Sequence, residues 1–507
     1  MGSDVPRVPG IQRELTVVFS GNIFLFIFLP ATLILYFNPL AKKMRDGGRV
    51  YKNIVLLVAS LVFYAWGEPR FVFIMMLSIV LNWLIGLGLG KTEKTVNRRL
   101  LLAAALLLDL GLLFVFKYLG FVSGMFGDRI NIALPLGISF YTFQILSYVL
   151  DVYFNPKKVQ KNPAWLGLYI SMFPQLVAGP IVRYSDVAEE LADRQERPED
   201  ITEGVRRFVY GLGKKVLLSN FLAIIVDYAY LGAGSLSVAT AWLGTICYTM
   251  QIYFDFSGYS DMAIGMGRIF GFHFPENFDY PYVSMSFTEY WRRWHMTLGS
   301  WMRDYLFYPL QKSSGFIRLG GWARKKLGKK KGKYVPSTLA LLVLWLAMGF
   351  WHGANWNFVV WGLMFFVLMT FESLSGFGKI ALKAASTKGF QVRKIFFHIY
   401  VIFFLLLAYV LFRAESLDAA GTYFANMFGA GGVKLFDADC ADYLRNGMFV
   451  LPVSILLCTP LARWISGKVR GDTLRDVVRG ILVLVIFILS VLSVVTESYS
   501  PFIYFNF

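Results

Sequence analysis

Charged residues are scarce in this sequence. Only 16% of its 507 residues are charged, whereas a soluble domain averages roughly 25%. Hydrophobic residues make up 56% of the chain. This composition excludes an ordinary water-soluble protein and indicates that much of the chain lies within a membrane.

Cysteine is also scarce, and several signature motifs are missing. The three cysteines, Cys247, Cys440 and Cys458, are too few and too scattered for a disulfide framework or a cysteine-ligated metal site. The sequence has no glycine-rich phosphate-binding loop and no G-x-S-x-G motif. These absences exclude an ATP-driven pump and a serine hydrolase of the usual fold.

Apolar runs long enough to span a bilayer, about 20 residues each, recur along the whole chain. We predict an all-α polytopic membrane protein with about 11–13 transmembrane or re-entrant helices. In this prediction residues 1–16 are an N-terminal extension, and residues 17–507 form a single membrane domain that begins with a retained anchor. The clearest runs are Thr16–Phe37, Val50–Trp66, Phe71–Gly90, Arg99–Phe116, Leu339–Phe371, Lys394–Phe412, Met448–Trp464 and Ile481–Thr496.

The formal net charge is +18, and the basic residues concentrate between the apolar runs. The predicted loop 311–335 is the richest in lysine, and the positive-inside rule places it in the cytoplasm. The segment 417–446 carries mainly acidic residues and suits the other side of the membrane. The basic loop is either a topology signal that also attracts anionic membrane lipid, or a landing site for a phosphorylated or acidic acyl donor. Because no nucleic-acid motif accompanies the basic residues, we expect no nucleic-acid partner.

Polar, aromatic, glycine and proline residues interrupt the apolar sequence between about residues 131 and 362. Helix breaks at membrane depth require other groups to satisfy the freed backbone, which happens where protein surrounds a cavity. We therefore expect this part of the chain to be the catalytic portion.

Two of the four histidines, His352 and His295, lie in unusual surroundings. His352 lies in MGFWHGANWNFVVWG at the end of an apolar run, where it is either satisfied by a neighbouring helix or acts as a general base or proton relay. Gly353 follows it and would leave room for a substrate to approach. The other two histidines, His273 and His398, are interpreted as structural.

His295 lies in FTEYWRRWHMTLGSWMRDYLFYPL, residues 287–310. If this segment is one helix, Trp291, Trp294 and His295 share a face, and Arg292 and Arg293 fall to its sides. Such a segment is either an anchor at the membrane interface or a catalytic element.

Carboxylates also occur in apolar surroundings. Asp255 and Asp261 belong to a dense polar patch in YFDFSGYSDMAIG, and carboxylates at membrane depth usually pair with cations or line a path. A metal site built from Asp255 and the histidines has no support from ligand spacing, so we expect no metal.

Seven blocks of the sequence occur in the order LPLGISFYTFQ, FPQLVAGPIVRY, YFDFSGYSDMAIG, PENFDYPY, YWRRWH, WMRDYL and FWHGANWNFVVWG. These blocks resemble the membrane-bound O-acyltransferase family. Within it, the chain is similar to the bacterial branch that contains the alginate O-acetyltransferase membrane subunit, and the D-alanyl transferase of teichoic acids is a more distant cousin. The resemblance extends from residue 17 to the C-terminal SPFIYFNF, residues 500–507. Tyr290 is a modest departure, because this branch usually has phenylalanine there.

The resemblance implies helices around a central tunnel that joins the two membrane faces. The catalytic histidine of the family falls on His352, and its supporting position falls on His295. We expect the remaining candidates to bind or support the substrate, and these are Arg292, Arg293, Trp291, Trp294, Asp255, Asp261, Asn355 and Asn277.

The expected function is transfer of an acetyl group from a cytoplasmic acyl thioester, acetyl-CoA above all, for O-acetylation of an exported polysaccharide such as alginate. The chain would lie in the bacterial cytoplasmic (inner) membrane, bind no permanent cofactor, and pass the acetyl group to an extracytoplasmic acetyltransferase partner. Two alternatives stay open. One is acyl or D-alanyl transfer to teichoic acid or lipid, and the other is a proton-coupled transporter.

Overall fold

The protein is described by a computed structural model over residues 19–44, 48–128, 130–177, 179–231, 236–387, 389, 391–430, 432–468 and 472–496. The predicted extension 1–16 and the terminal motif 500–507 lie outside the described residues. Within these ranges every regular element is a helix, which confirms the all-α prediction. The α-helices are Leu29–Tyr36, Arg49–Gly67, Phe71–Lys91, Thr95–Leu113, Leu119–Gly124, Ile138–Phe154, Pro163–Ser171, Phe173–Leu176, Tyr184–Ala192, Pro198–Gly213, Asn220–Leu231, Val238–Ile269, Phe287–Tyr290, Met296–Met302, Tyr308–Lys312, Ser314–Gly332, Tyr334–His352, Trp356–Ser375, Phe377–Ser386, Val392–Arg413, Leu417–Met427, Ala438–Asn446, Val450–Leu457, Leu461–Lys468 and Asp472–Thr496.

Nine helical segments of the described chain are long and apolar enough to cross a membrane. A tenth results if Val450–Leu457 and Leu461–Lys468, which are bent by 77° against each other, count as one broken span. Two more long helices, Ile138–Phe154 and Val238–Ile269, are largely buried. Together these elements fall within the predicted number of spanning or broken segments.

Burial separates central helices from peripheral ones. In the most apolar window of Pro198–Leu231, 72% of the residues are buried, whereas the figure for Thr473–Thr496 is 11%. Apolar side chains exposed on a membrane helix face lipid without the cost that water would impose. The Pro198–Leu231 segment therefore belongs to the centre of the protein, and Thr473–Thr496 to its periphery.

Glycines bring Pro198–Gly213 and Val238–Ile269 into close contact. A Cβ atom on Gly211 would lie 2.5 Å from the carbonyl oxygen of Gly258, and one on Gly204 would lie 2.6 Å from that of Gly265. Small residues at such interfaces let two membrane helices approach closely, which gains van der Waals contact.

Ion pairs also join Val238–Ile269 to the longer segment Pro198–Leu231. Lys215 pairs with Asp255, and both side chains are at most 2% exposed. Asp261 accepts from Lys214 Nζ at 2.6 Å and from Arg207 Nε at 3.0 Å. The two carboxylates of the polar patch are therefore paired with cations across a helix interface.

Basic and acidic residues lie at opposite ends of the helices. We call one end the basic face. There Arg98 donates to the carbonyl oxygens of Leu89 and Tyr153, and these hydrogen bonds join two lysine-rich loops. At the other end, which we call the acidic face, Thr240 Oγ1 donates to Asp437 at 2.8 Å and Tyr228 donates to Asp439 at 2.5 Å.

Three predicted elements differ from the structure. The apolar run 339–371 is two helices, which separate after His352. Segment 287–310 is not one helix, because the backbone of His295 has φ 44°, in the left-handed region, and divides it. The predicted loop 311–335 is mostly the helix Ser314–Gly332, kinked at Gly328, because lysine, arginine, leucine and alanine favour helices even where they are highly charged.

Candidate active site

His352 is the last residue of the helix Tyr334–His352, which begins near the basic face. The helix ends because Gly353 has an extended backbone, with φ −177°, and the next helix begins at Trp356. A helix of 19 residues extends about 27 Å from its first to its last residue. His352 thus lies deep in the protein, and its side chain is 4% exposed.

Aromatic rings surround the His352 imidazole on several sides. The ring centroids of Trp351, Trp361 and Phe412 lie 4.7, 4.9 and 5.1 Å from it, each at a steep angle. His352 also lines a narrow cavity between these rings, with room for about one water molecule. The cavity is further lined by Ile252, Tyr290, Trp291, Trp294, Trp361, Phe365, Tyr409 and Phe412.

Two hydroxyl groups belong to residues that line this cavity. The hydroxyl oxygens of Tyr290 and Tyr409 lie 2.8 Å apart and form a hydrogen bond. The Tyr290 hydroxyl belongs to this pair. It adds a polar group to an otherwise aromatic wall.

His295 is held by Asn277, 18 residues earlier in the chain. Asn277 Oδ1 accepts the backbone N–H of Thr297 at 3.3 Å, so this atom is an acceptor and the amide orientation is fixed. The Nδ1 atom of His295, 3.0 Å from the same oxygen, must then carry a hydrogen and donate it. In the neutral imidazole this leaves a lone pair on Nε2, and Nε2 is buried without a hydrogen-bond partner among the described residues.

The two histidines lie on either side of one tryptophan. The Trp351 ring centroid lies 4.7 Å from that of His352 and 6.1 Å from that of His295. His295 is also close enough to His352 for their charges to interact. The structure thus brings together the two histidines that the sequence singles out, although His295 is not among the residues that line the cavity.

Lys117 is a neighbour of His352 that sequence analysis missed. Its ammonium group donates to the carbonyl oxygen of Trp351 and to Ser139 Oγ at 3.2 Å, and it interacts electrostatically with His352. It lies on a π-helical turn, Phe114–Tyr118, a feature that is frequent at functional sites. A lysine within an apolar run, LLFVFKYLGF, was the available signal.

The other predicted site residues divide into two groups. Trp291 and Trp294 line the cavity. Arg292 is exposed, and Arg293 pairs with Glu289 at 3.0 Å and with Asp279 at 2.9 Å, so the Arg293 charge is already neutralised.

Two residues beside His352 have structural tasks. Asn355 Oδ1 accepts the backbone N–H of Trp356 at 2.7 Å and so caps the next helix. Gly353 was expected to leave room for a substrate, but a Cβ atom there would lie 2.2 Å from the ring of Phe358. The space beside Gly353 is therefore filled by Phe358, and the cavity lies elsewhere around His352.

The remaining histidines have polar partners away from this cavity. His273 Nδ1 lies 2.7 Å from Glu190, and His398 Nδ1 lies 3.2 Å from the carbonyl oxygen of Ser284. Among the described residues no group of three histidine, cysteine or carboxylate side chains could hold a metal ion.

Comparison with known proteins identifies the family of this chain. Residues 157–417 match the model of the membrane-bound O-acyltransferase family. The chain is 34% identical to "Probable alginate O-acetylase AlgI" of Pseudomonas putida, over 97% of this chain and 100% of that protein. It is 30% identical to "Peptidoglycan O-acetyltransferase" of Helicobacter pylori, over 98% and 99% of the two chains. "Teichoic acid D-alanyltransferase" of Bacillus subtilis is 30% identical over 47% of this chain and 59% of that protein.

The relatives confirm the resemblance to the alginate O-acetylase branch, and all three are named as enzymes that transfer an acyl group. This favours catalysis over the alternative of a proton-coupled transporter. The chain is therefore a multi-pass membrane O-acyltransferase and belongs to the membrane-bound O-acyltransferase family.

Proposed function

We propose that this enzyme takes an acetyl group from a cytoplasmic acyl thioester, acetyl-CoA, and passes it through the bacterial inner membrane for O-acetylation of an exported polysaccharide such as alginate. The observation that carries this proposal is the buried imidazole of His352, which lines a narrow cavity among aromatic side chains. Relatives that match nearly the whole chain are named for O-acetylation of alginate and of peptidoglycan.

The charge distribution supports entry of the donor from the basic face. The phosphates of coenzyme A are attracted by clustered lysines and arginines, and the helix Ser314–Gly332 ends in three consecutive lysines, 329–331. The helix Tyr334–His352 follows directly and leads from this face toward the cavity. By the positive-inside rule the basic face is cytoplasmic.

The chemistry assigned to His352 is that of a general base and then a general acid. As the oxygen of the acceptor hydroxyl bonds to the acyl carbon, the hydroxyl proton passes to the imidazole. The C–S bond then breaks, and the departing thiolate takes that proton, which leaves an ester and a free thiol. Proton transfer of this kind contributes roughly 10²–10⁴-fold to the rate.

The surroundings of His352 support this reaction in two ways. Aromatic walls exclude water, which would otherwise compete as the acceptor. Lys117, which holds the adjacent carbonyl of Trp351, would keep the imidazole in position. His295 lies next to Trp351. Its Nε2 lone pair would accept a hydrogen bond from the hydroxyl group that receives the acyl group, or from a water molecule next to that hydroxyl.

The size of the cavity also supports a separate partner protein. So narrow a cavity does not admit a sugar polymer. We therefore infer that an extracytoplasmic acetyltransferase receives the acetyl group at the acidic face and modifies the polysaccharide. Surrounding membrane lipid is the remaining partner that we expect.

The test is acetyl transfer by the purified enzyme in lipid nanodiscs. We would supply acetyl-CoA labelled in the acetyl group and measure label on acceptor hydroxyls together with free thiol. His352→Ala should reduce both at least 10²-fold. The matched control is His398→Ala, because His398 is half-buried in a helix outside the cavity. Parent-like transfer by His352→Ala would refute the catalytic assignment.

The alternative of D-alanyl transfer is tested in the same assay. A D-alanyl thioester of a carrier protein would replace acetyl-CoA as the donor. Transfer from that donor alone would overturn the acetyl assignment and favour the more distant teichoic acid relatives, which match only about half of this chain.

A further inference from the structure

Two indole N–H groups at the His352 cavity have no hydrogen-bond acceptor among the described residues. The side chains of Trp291 and Trp361 both line the cavity. The Nε1 atom of each is buried and has no hydrogen-bond partner within the described part of the chain. A buried donor without an acceptor costs about 1–3 kcal/mol, so such groups in a native protein call for an explanation.

The two indoles lie close to each other and to the catalytic histidine. The ring centroids of Trp361 and His352 are 4.9 Å apart, and those of Trp361 and Trp291 are 5.9 Å apart. Both indoles therefore border the same small space beside the imidazole, and both contribute a buried N–H group without a described partner. Most other side chains that line the cavity are apolar or aromatic.

We propose that the indole N–H groups of Trp291 and Trp361 bind the carbonyl oxygen of the acyl thioester and stabilise the oxyanion that forms when the acceptor attacks. This inference rests on the proposed acetyl transfer. When the acceptor oxygen bonds to the acyl carbon, the carbonyl oxygen gains a negative charge that the two N–H groups stabilise. When the C=O bond re-forms, the C–S bond breaks, and the proton held by His352 passes to the thiolate.

The physical reason for placing donors here is electrostatic. In a site without water, donors already aimed at the developing charge need no reorganisation during the reaction, and removing one such donor typically lowers kcat by about 10²–10³-fold. The hydrogen bonds are stronger to the oxyanion than to the ground-state carbonyl, so their loss lowers kcat more than it raises KM.

The experiment replaces each tryptophan by 3-benzothienylalanine, which keeps the shape of the side chain but has sulfur in place of N–H. Trp345 is the matched control. Its Nε1 atom is also buried without a partner among the described residues, and its ring packs 4.8 Å from Trp291 and 6.0 Å from Trp361. Trp345 does not line the cavity.

Acetyl transfer from acetyl-CoA is measured for each protein, with thermal stability as a check on folding. We expect the isostere at Trp361 or at Trp291 to lower kcat at least 10-fold with little change in KM, and the isostere at Trp345 to leave both near the parent values. An unchanged kcat at both cavity positions overturns the inference. A parent enzyme without acetyl transfer overturns the proposed function itself, so the two failures are distinct.

A second measurement does not depend on turnover. Acetyl-CoA with a ¹³C-labelled carbonyl is bound to His352→Ala enzyme, and the carbonyl stretch is recorded by isotope-edited infrared spectroscopy. The bound carbonyl should absorb at lower frequency than in an apolar solvent, and the shift should shrink when Trp361→Phe is added. A carbonyl frequency that Trp361→Phe does not change contradicts the hydrogen bond.

Discussion

Replacing Asn277 by alanine should remove the support of His295 without touching either imidazole. Asn277 Oδ1 accepts three hydrogen bonds, from His295 Nδ1 at 3.0 Å, from Thr297 Oγ1 at 2.9 Å and from the backbone N–H of Thr297 at 3.3 Å. Each donor left unsatisfied in a buried site costs about 1–3 kcal/mol. Since the donors share one acceptor, we expect a total loss of stability of about 2–5 kcal/mol rather than a simple sum.

The variant also frees His295 to place its hydrogen on either nitrogen. In molecules with the hydrogen on Nε2, that atom has no lone pair and cannot accept the hydrogen bond that we assign to it. Acetyl transfer should therefore fall about 10–10²-fold. Thermal unfolding and acetyl transfer would be measured on the same purified sample. Asn162→Ala is the matched control, because Asn162 caps a helix through Ala164 N at 2.9 Å. If Asn277→Ala unfolds and transfers acetyl like the parent, the assigned role of His295 is wrong.

Three further substitutions test other parts of the structure. Asp255→Asn should destabilise the protein by about 3–5 kcal/mol, because it removes the carboxylate charge that pairs with the buried ammonium of Lys215. Adding Lys215→Met should recover much of the loss in a thermal-shift assay, and equal stability of the single and double variants would contradict this. Lys117→Met should lower kcat about 10-fold, because it releases the carbonyl of Trp351 next to His352. An unchanged kcat would show that Lys117 has no part in the site. Gly353→Ala should impair folding or acetyl transfer, because the added Cβ atom overlaps the ring of Phe358. Adding Phe358→Leu should relieve the defect. A fully active single variant would show that the Phe358 ring moves freely.

Hydropathy predicted the outer helices well, because lipid-facing helices are apolar along their whole length. The predicted run Phe71–Gly90 is the helix Phe71–Lys91, and Lys394–Phe412 is the helix Val392–Arg413. Hydropathy alone did not divide the run 339–371, because only a few polar residues separate its two apolar halves. The signal was a glycine followed by a capping asparagine, at positions 353 and 355.

The site was predictable only in part. The resemblance identified His352 and His295, but the division of segment 287–310 depends on Asn277, 18 residues before His295, and no local pattern records such a contact. Lys117 and Trp361 come from helices far apart in the sequence. Tertiary packing brings them to one histidine, so their relation to it could not be read from spacing.

The most direct test is a structure of the enzyme with a donor analogue in which a ketone replaces the thioester. The account predicts that the ketone carbon lies in the aromatic cavity, about 3–3.5 Å from an imidazole nitrogen of His352, with its adenosine phosphates among the lysines of the basic face. A ketone bound outside that cavity, with residue 352 enclosed by unmoved aromatic side chains, would contradict it.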